Sequence, residues 1–182
     1  MQGNALIVSK CAKKLSATLL LVSCLLSATA VCAAEELPKE SVLPLAMASK
    51  AVHASVEACK KDGYRVSVSV VDRAGELRAM GRADGAGPHT IDSSRKKAYT
   101  AASLRRPTSE LAELIGKVPT LQALREMNDN VLMLGGGLPI EIGGEVVGGV
   151  GVGGAPGAHL DDACAQAGLD AIGAAPKVPA SK

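Results

Sequence analysis

Apolar and polar residues alternate along the chain with two periods, one typical of strands and the other typical of helices. Valine occupies alternate positions from 66 to 70, which predicts a strand over 64–71. A turn at 72–75 joins it to a second strand, 76–82, in a hairpin. A helix is predicted before this hairpin, over 44–61, because apolar residues recur there at helical spacing: Met47, Ala51, Val52, Val56 and Cys59.

The second half of the chain continues this mixture, and residues 119–130 are ambiguous, with a helical turn as one interpretation. The order of elements predicts an α/β fold of the α+β type, in which helices cover an antiparallel five-stranded sheet. The remaining predicted elements are helices over 90–103, from 107 onwards and over 160–172, and strands over 131–134, 139–142 and 145–153.

The first 34 residues have the pattern of a secretory signal peptide. Three lysines between positions 10 and 14 precede a short apolar run, and small residues then lead to Ala33 and Ala34. Two alternatives stay open: residues 15–34 are about long enough for a membrane anchor, and a lipoprotein signal could end at Cys24. Cleavage predicts a periplasmic or extracellular protein with three parts: a polar leader over 35–43, a domain over 44–173 and a flexible tail over 174–182.

Composition excludes one class of partner. The chain has no Phe, no Trp and two Tyr, so it lacks the aromatic platforms on which proteins stack nucleic-acid bases. The 20 basic and 18 acidic residues nearly balance, which gives no strong field towards DNA or RNA. We therefore expect no nucleic-acid partner, and a core built from aliphatic and small side chains.

Removal of the signal peptide leaves two cysteines, Cys59 and Cys164. An oxidising compartment would permit a disulfide between them. Both lie on predicted helices, where cysteine is often a small buried residue, so the sequence leaves both interpretations open.

Glycine supplies eleven of the 23 residues from 135 to 157. Residues 149–154 match the GxGxxG motif, but they lie inside a strand rather than between a strand and a helix, which argues against a dinucleotide site. Gly149, Gly151 and Gly153 share one strand face without side chains, so a helix, a second subunit or a flat ligand can approach it. The loop 134–139 is either an anion-binding turn or simply a tight turn.

The three histidines do not form a zinc motif. His53 lies within the first helix near its apolar stripe, which favours a structural role. His89 follows a Gly-Pro pair at the start of a helix, where its imidazole would either reach a ligand or help cap the helix. His159 precedes two acidic residues near another helix start, which favours a surface role.

Charged side chains form two further candidate groups. A basic cluster on and after the helix at 90–103 could bind carboxylates such as porphyrin propionates, although a solvated helix face is the commoner explanation; it comprises Arg95, Lys96, Lys97, Arg105 and Arg106. Glu110 and Glu113 lie one helical turn apart and form a weak candidate iron site. Exposed acid pairs of this kind usually bind nothing specific.

Several segments, taken in order, resemble the secreted haem-binding proteins of the GlcG/HbpS-like family (domain of unknown function 336). The resemblance covers about residues 43–173, and order and spacing carry it rather than any single motif. The matching segments are 64–72, 84–88, 95–101, 106–111, 135–140, 144–152 and 160–168.

The resemblance implies a profilin-like fold and assembly into homo-oligomers. It implies haem binding for some members and, for fewer, iron binding, haem breakdown or redox sensing through a membrane kinase. Histidine and threonine both act as axial ligands in the family, which makes His89 and Thr108 the first candidates here, followed by Thr100 and His53. Haem propionates would then lie near the basic cluster, at Arg95, Lys97 or Arg106.

Three functional hypotheses follow. The first is a secreted protein that sequesters or senses haem or iron on an apolar, glycine-lined surface. The second is a small-molecule enzyme or accessory domain, which acts on an organic acid or degrades haem. The third is an oligomeric scaffold without a ligand. The sequence favours a binding protein over an enzyme, and hemin titration is the experiment that separates these hypotheses best.

Overall fold

The computed structural model of the protein describes residues 36–175. The predicted signal peptide and residues 176–182 of the predicted tail lie outside the described residues. The chain divides into two units, residues 1–39 and residues 40–182, and all elements named below belong to the second. Between residues 36 and 175, no helix has the length and apolar character needed to span a bilayer.

The order of helices and strands follows the predicted order closely. The ambiguous segment is a 3₁₀ helix, Pro119–Glu126. The other elements are α1 (Leu45–Lys61), β1 (Ser67–Asp72), β2 (Leu77–Arg82), α2 (His89–Leu104), α3 (Thr108–Lys117), β3 (Gly137–Ile142), β4 (Glu145–Gly153) and α4 (Ala158–Ile172).

The four strands form one antiparallel sheet with the order β2-β1-β4-β3. Two hairpins, β1–β2 and β3–β4, are therefore joined along β1 and β4, and β2 is an edge strand. Val66, Val68 and Val70 face the main core, in which α1 and α4 contribute buried residues. Successive side chains of a strand point to opposite faces, so Ser67 and Ser69 face α2.

The predicted fifth strand, 131–134, is wrong. The backbone N–H of Leu132 donates to the Thr100 hydroxyl at 2.8 Å, and the N–H groups of Val131 and Leu134 donate to carbonyls two or three residues earlier in the chain. These local bonds use the donors that a sheet ladder would need. Met133 is instead buried against Leu111 and Ile115 of α3, so the apolar run packs on a helix.

A disulfide joins α1 to α4 through Cys59 and Cys164, which are 105 residues apart in sequence. Of the two interpretations left open by the sequence, the structure has the disulfide. The chain after α4 returns to the sheet: Ala174 is buried, and Ala175 pairs with Glu141 of β3. These two alanines are the first residues of the predicted flexible tail.

The glycine face of β4 packs against α2. A Cβ on Gly149 or Gly151 would collide with backbone atoms of α2, and a Cβ on Gly153 would lie 2.7 Å from the Ser93 hydroxyl. The helix backbone thus lies directly on the strand, which selects a helix over a flat ligand as the occupant of this face. Two buried hydroxyl pairs link α2 to β1, Ser67 with Thr90 at 2.7 Å and Ser69 with Ser94 at 2.9 Å.

Candidate functional site

The glycine loop before β3 is held by acceptors from the protein itself. The Gly136 N–H donates to Asp162 Oδ1 at 2.6 Å, and the Gly137 N–H donates to Thr108 Oγ1 at 2.8 Å. A side chain at position 137 would lie 2.5 Å from the Lys97 carbonyl oxygen. Since these two amides already have acceptors, the geometry favours the tight turn over the anion cradle.

Lys97 is the most buried member of the predicted basic cluster. Its Nζ donates to Asp161 Oδ2 at 2.7 Å and to the Val152 carbonyl at 2.9 Å, and the side chains of Lys97 and Asp161 are 3% and 5% exposed. Burial raises the pKa of the Asp161 carboxyl, while the positive charge of Lys97 opposes that rise. This ion pair joins α2 to α4 inside the protein.

The two candidate threonine ligands are also buried. Thr100 donates to the Lys96 carbonyl and accepts from the Leu132 N–H, both at 2.8 Å. Thr108 accepts from the Gly137 N–H. Both side chains are 0% exposed, so both hydroxyls serve hydrogen bonds within the protein rather than facing a ligand.

The other candidate ligands, Arg95, Arg106 and the acid pair, are at least partly exposed, and each has a partner within the protein. Arg95 donates to Asn130 and Asp92. Arg106 pairs with Glu110 at 3.4 Å, and Lys117 pairs with Glu113 at 3.1 Å. Within residues 36–175, no three His, Cys, Asp or Glu side chains are grouped closely enough to hold a metal ion.

Histidines 53 and 89 are both exposed, but their surroundings differ. The ring of His89 lies beside Gly87, where an added Cβ would be 2.6 Å from its Cε1 atom. His53 lines a groove of about 260 Å³ between α1 and the edge strand β2. Val52 and Val56 form its apolar wall on α1, and Gly81 lets β2 approach, since a Cβ there would be 2.8 Å from Val52.

The groove continues into a second cleft of about 440 Å³, and Val56 and Arg82 border both. We call the two together the α1–β2 groove. Its second part is polar and lies where α1 ends and β2 leaves the sheet. The side chains that bring charge or a hydroxyl to it are Glu57, Lys60, Tyr64, Arg65, Arg82 and Asp84.

The basic residues of this groove were not predicted from the sequence. Lys60, Arg65 and Arg82 are scattered over 23 positions and form no run. The predicted hairpin could have indicated that Arg65 and Arg82 lie close together. Its register pairs Ser67 with Arg82, so the start of β1 lies beside the end of β2. The structure thus brings His53 together with basic residues that were not candidates, and it does not bring it together with the predicted cluster.

The fold defines an α+β protein with a four-stranded antiparallel sheet and an open groove beside its edge strand. Residues 43–170 match the family described as haem degrading protein HbpS-like, and the chain belongs to this family.

Relatives and solved structures agree with that assignment. Protein GlcG of Escherichia coli K12 is 34% identical over 111 residues, which are 61% of this chain and 81% of GlcG. A double mutant of Streptomyces reticuli HbpS is 43% identical, with a TM-score of 0.70 over 79% of this chain and 96% of that one. A PduOC–heme complex is 27% identical, with a TM-score of 0.68 over 74% and 98% of the two chains.

Proposed function

We propose that this protein binds haem in the α1–β2 groove, with His53 as the axial ligand. The observation that carries the proposal is the position of His53, an exposed imidazole on the wall of a groove that is apolar at one end and basic at the other. The solved heme complex of a relative supports the ligand.

The residues of the groove fit this group chemically. Histidine is a common axial ligand of haem iron. Val52 and Val56 offer an apolar surface to the porphyrin, and arginines suit its carboxylates because a guanidinium can bind a carboxylate through two parallel hydrogen bonds. Bound haem would supply redox-active iron, while the protein's residues hold and orient it.

His53 replaces His89 and Thr108 as the first candidate because of its surroundings. The Thr108 hydroxyl is buried and hydrogen-bonded. His89 is exposed but is not among the residues that line the groove. It is therefore the second candidate ligand.

Hemin titration followed by absorbance tests the proposal. We expect a saturable Soret shift at one haem per chain for the wild type, and about tenfold weaker binding for His53→Ala. His159→Ala, at an exposed histidine of α4, is the matched control and should bind as the wild type does. Absence of a shift in the wild type would refute haem binding. An unchanged shift in His53→Ala together with a loss of the shift in His89→Ala would identify His89 as the ligand instead.

The same titration bears on the other hypotheses. Loss of the Soret band on addition of a reductant, with formation of an open-chain product, would favour a haem-degrading enzyme over a binding protein. A protein that binds neither hemin nor any compound of a broad thermal-shift screen would be a scaffold.

We also propose that the protein is exported and that it sequesters or senses haem outside the cytoplasm. The Cys59–Cys164 disulfide supports export, because such bonds persist in oxidising compartments. Cell fractionation tests this part, and we expect the mature chain in the periplasm or medium. Sensing through a membrane kinase is a prediction of the family resemblance, and co-purification with a kinase from membranes is its test.

A further inference from the structure

One loop positions two arginines at the basic end of the α1–β2 groove. Arg82 donates through Nε to the Ala86 carbonyl at 3.0 Å, with a second bond from Nη2 to the same oxygen. The side chain of Arg65 runs along the neighbouring Gly85, where an added Cβ would lie 3.1 Å from both Cδ and Nη1. Gly85 has a φ of +78°, a conformation that glycine adopts without strain.

Neither guanidinium forms an ion pair with a carboxylate of the described residues, although Glu57 and Asp84 line the same cleft. Among residues 36–175, the ion pairs within 4.0 Å include other arginines but neither Arg65 nor Arg82. Lys60 is partly neutralised by Glu57 at 3.7 Å, in a pair that is largely exposed. The two arginines are thus pre-positioned positive charges without a carboxylate partner, and carboxylates are the groups that a guanidinium binds best.

Arg82 borders both parts of the groove, but Arg65 and Lys60 line only the part without His53. His53 and Lys60 lie seven residues apart on α1, which is two helical turns or about 10 Å along the axis. A ligand that fills the groove therefore has an apolar body beside His53 and acidic groups at one edge, near Arg65 and Arg82. The imidazole and the guanidiniums would contact different parts of this ligand.

We infer that the groove recognises the two carboxylates of a tetrapyrrole independently of iron, so that its ligand class is dicarboxylate tetrapyrroles with or without a metal. The inference rests on the proposed function and extends it, because iron-free protoporphyrin IX becomes a ligand in its own right. His53 adds affinity only when a metal is present.

Fluorescence titration with protoporphyrin IX and with its dimethyl ester tests this inference on the intact protein. We expect saturable binding of the free acid and at least about tenfold weaker binding of the ester, which lacks the charged hydrogen bonds. Arg65→Gln should weaken binding of the free acid by about tenfold. His53→Ala should lose much less affinity for protoporphyrin IX than for hemin, because only hemin offers a metal to the imidazole.

Arg125→Gln is the matched control, since it removes one charge at an exposed arginine of the 3₁₀ helix that contacts Gln122. It should bind protoporphyrin IX normally. Wild-type protein that binds hemin but not protoporphyrin IX overturns the inference and leaves the proposed function standing, and equal binding of acid and ester also overturns it. Protein that binds neither hemin nor protoporphyrin IX overturns both proposals. The ester comparison needs no variant, so a folding defect in Arg65→Gln leaves the test intact.

Discussion

At the scale of single residues, Asp162 is a buried carboxylate shared between two elements. It accepts the Gly136 N–H and bonds the Ser109 side chain at the start of α3, while Lys97 lies near enough to attract it. Burial raises the pKa of its carboxyl from the ordinary value of 3.8 despite these contacts. Lys97 is already paired with Asp161, so one buried cation faces two neighbouring carboxyls.

This pKa shift predicts a pH dependence of stability. Because the folded protein holds the Asp162 proton more tightly than the unfolded chain, its contribution is fully present below pH 3.8 and is lost as pH rises through the raised pKa. The difference in unfolding free energy between wild type and Asp162→Asn should therefore fall as pH rises from about 3.8 towards neutrality. Urea denaturation at several pH values measures it.

Asp170→Asn, at an exposed position of the same helix, is the control for that series. Carboxyls that do not interact with Asp162 cancel in the difference. A difference between wild type and Asp162→Asn that rises with pH would contradict the predicted pKa direction.

At the scale of elements, the contact of α2 with β4 depends on missing side chains. Ser94 O and Ala98 N lie where a Cβ on Gly151 would be placed, the latter at 2.5 Å. Small residues on α2 complete the contact, because Ala98 and Ala102 are buried there. Close backbone approach thus takes the place that bulky aromatic residues occupy in many cores.

We expect Gly151→Ala to destabilise the protein by about 1–3 kcal/mol, since the added methyl group forces α2 away from the strand. Gly116→Ala is the matched control. Gly116 lies in α3, and nothing is within 4 Å of a Cβ added there. Because alanine has the better helix propensity, this variant should stabilise the protein by about 0.5–1 kcal/mol. Thermal or urea denaturation compares the two variants, and a neutral Gly151→Ala would contradict the close contact.

The disulfide between α1 and α4 predicts a second effect at this scale. Because it closes a loop over a sequence separation of 105 residues, its loss should lower the unfolding free energy by about 2–5 kcal/mol. The double variant Cys59→Ala, Cys164→Ala measures this loss, and a thiol reductant should have no further effect on it. If the reductant destabilised wild type and variant equally, the effect would not come from this bond.

At the scale of the whole molecule, the edge strand β2 carries exposed apolar side chains. Leu77 is 49% exposed and Met80 is 37% exposed, and they pair with β1 residues on the sheet face towards α2. An edge strand with exposed apolar residues favours association with another chain. We therefore propose that the protein forms the homo-oligomer that the family resemblance implies.

We expect light scattering to give a mass above that of one chain for the wild type, and a smaller mass for the double variant Leu77→Lys, Met80→Lys. Met127→Lys removes an apolar side chain that is 52% exposed elsewhere and should leave the mass unchanged. A monomeric wild type would contradict self-association, and an unchanged mass in the double variant would place the interface elsewhere.

Much of the fold could be predicted because its signals are local. The alternation of valines in β1 and the helical spacing in α1 are fixed by residues within one element. The alternation of glycine and valine in β4 also predicted, as one alternative, that a helix packs on the glycine face. The apolar stretch at 131–134 was wrongly predicted to be a strand, because a short apolar run does not by itself distinguish a strand from a loop packed on a helix.

The candidate site could be predicted only in part. His53 was a candidate, but its exposure could not be predicted from the sequence, and its position near an apolar stripe favoured a structural role. Asp161 and Asp162 follow a helix start, where acids suit the positive helix end, but the sequence did not indicate that α2 and the glycine loop bury both. Burial of a polar side chain depends on partners that are distant in sequence.

By itself, the sequence determined the type and order of most elements, the bare glycine face and the family. These follow from spacing along the chain, which sets the face on which each side chain lies. Tertiary structure decided which donors met which acceptors. It buried Lys97 against Asp161, satisfied Thr100 and Thr108, and left Arg65 and Arg82 without an ion pair in the α1–β2 groove, because pairing and exposure are set by contacts between elements.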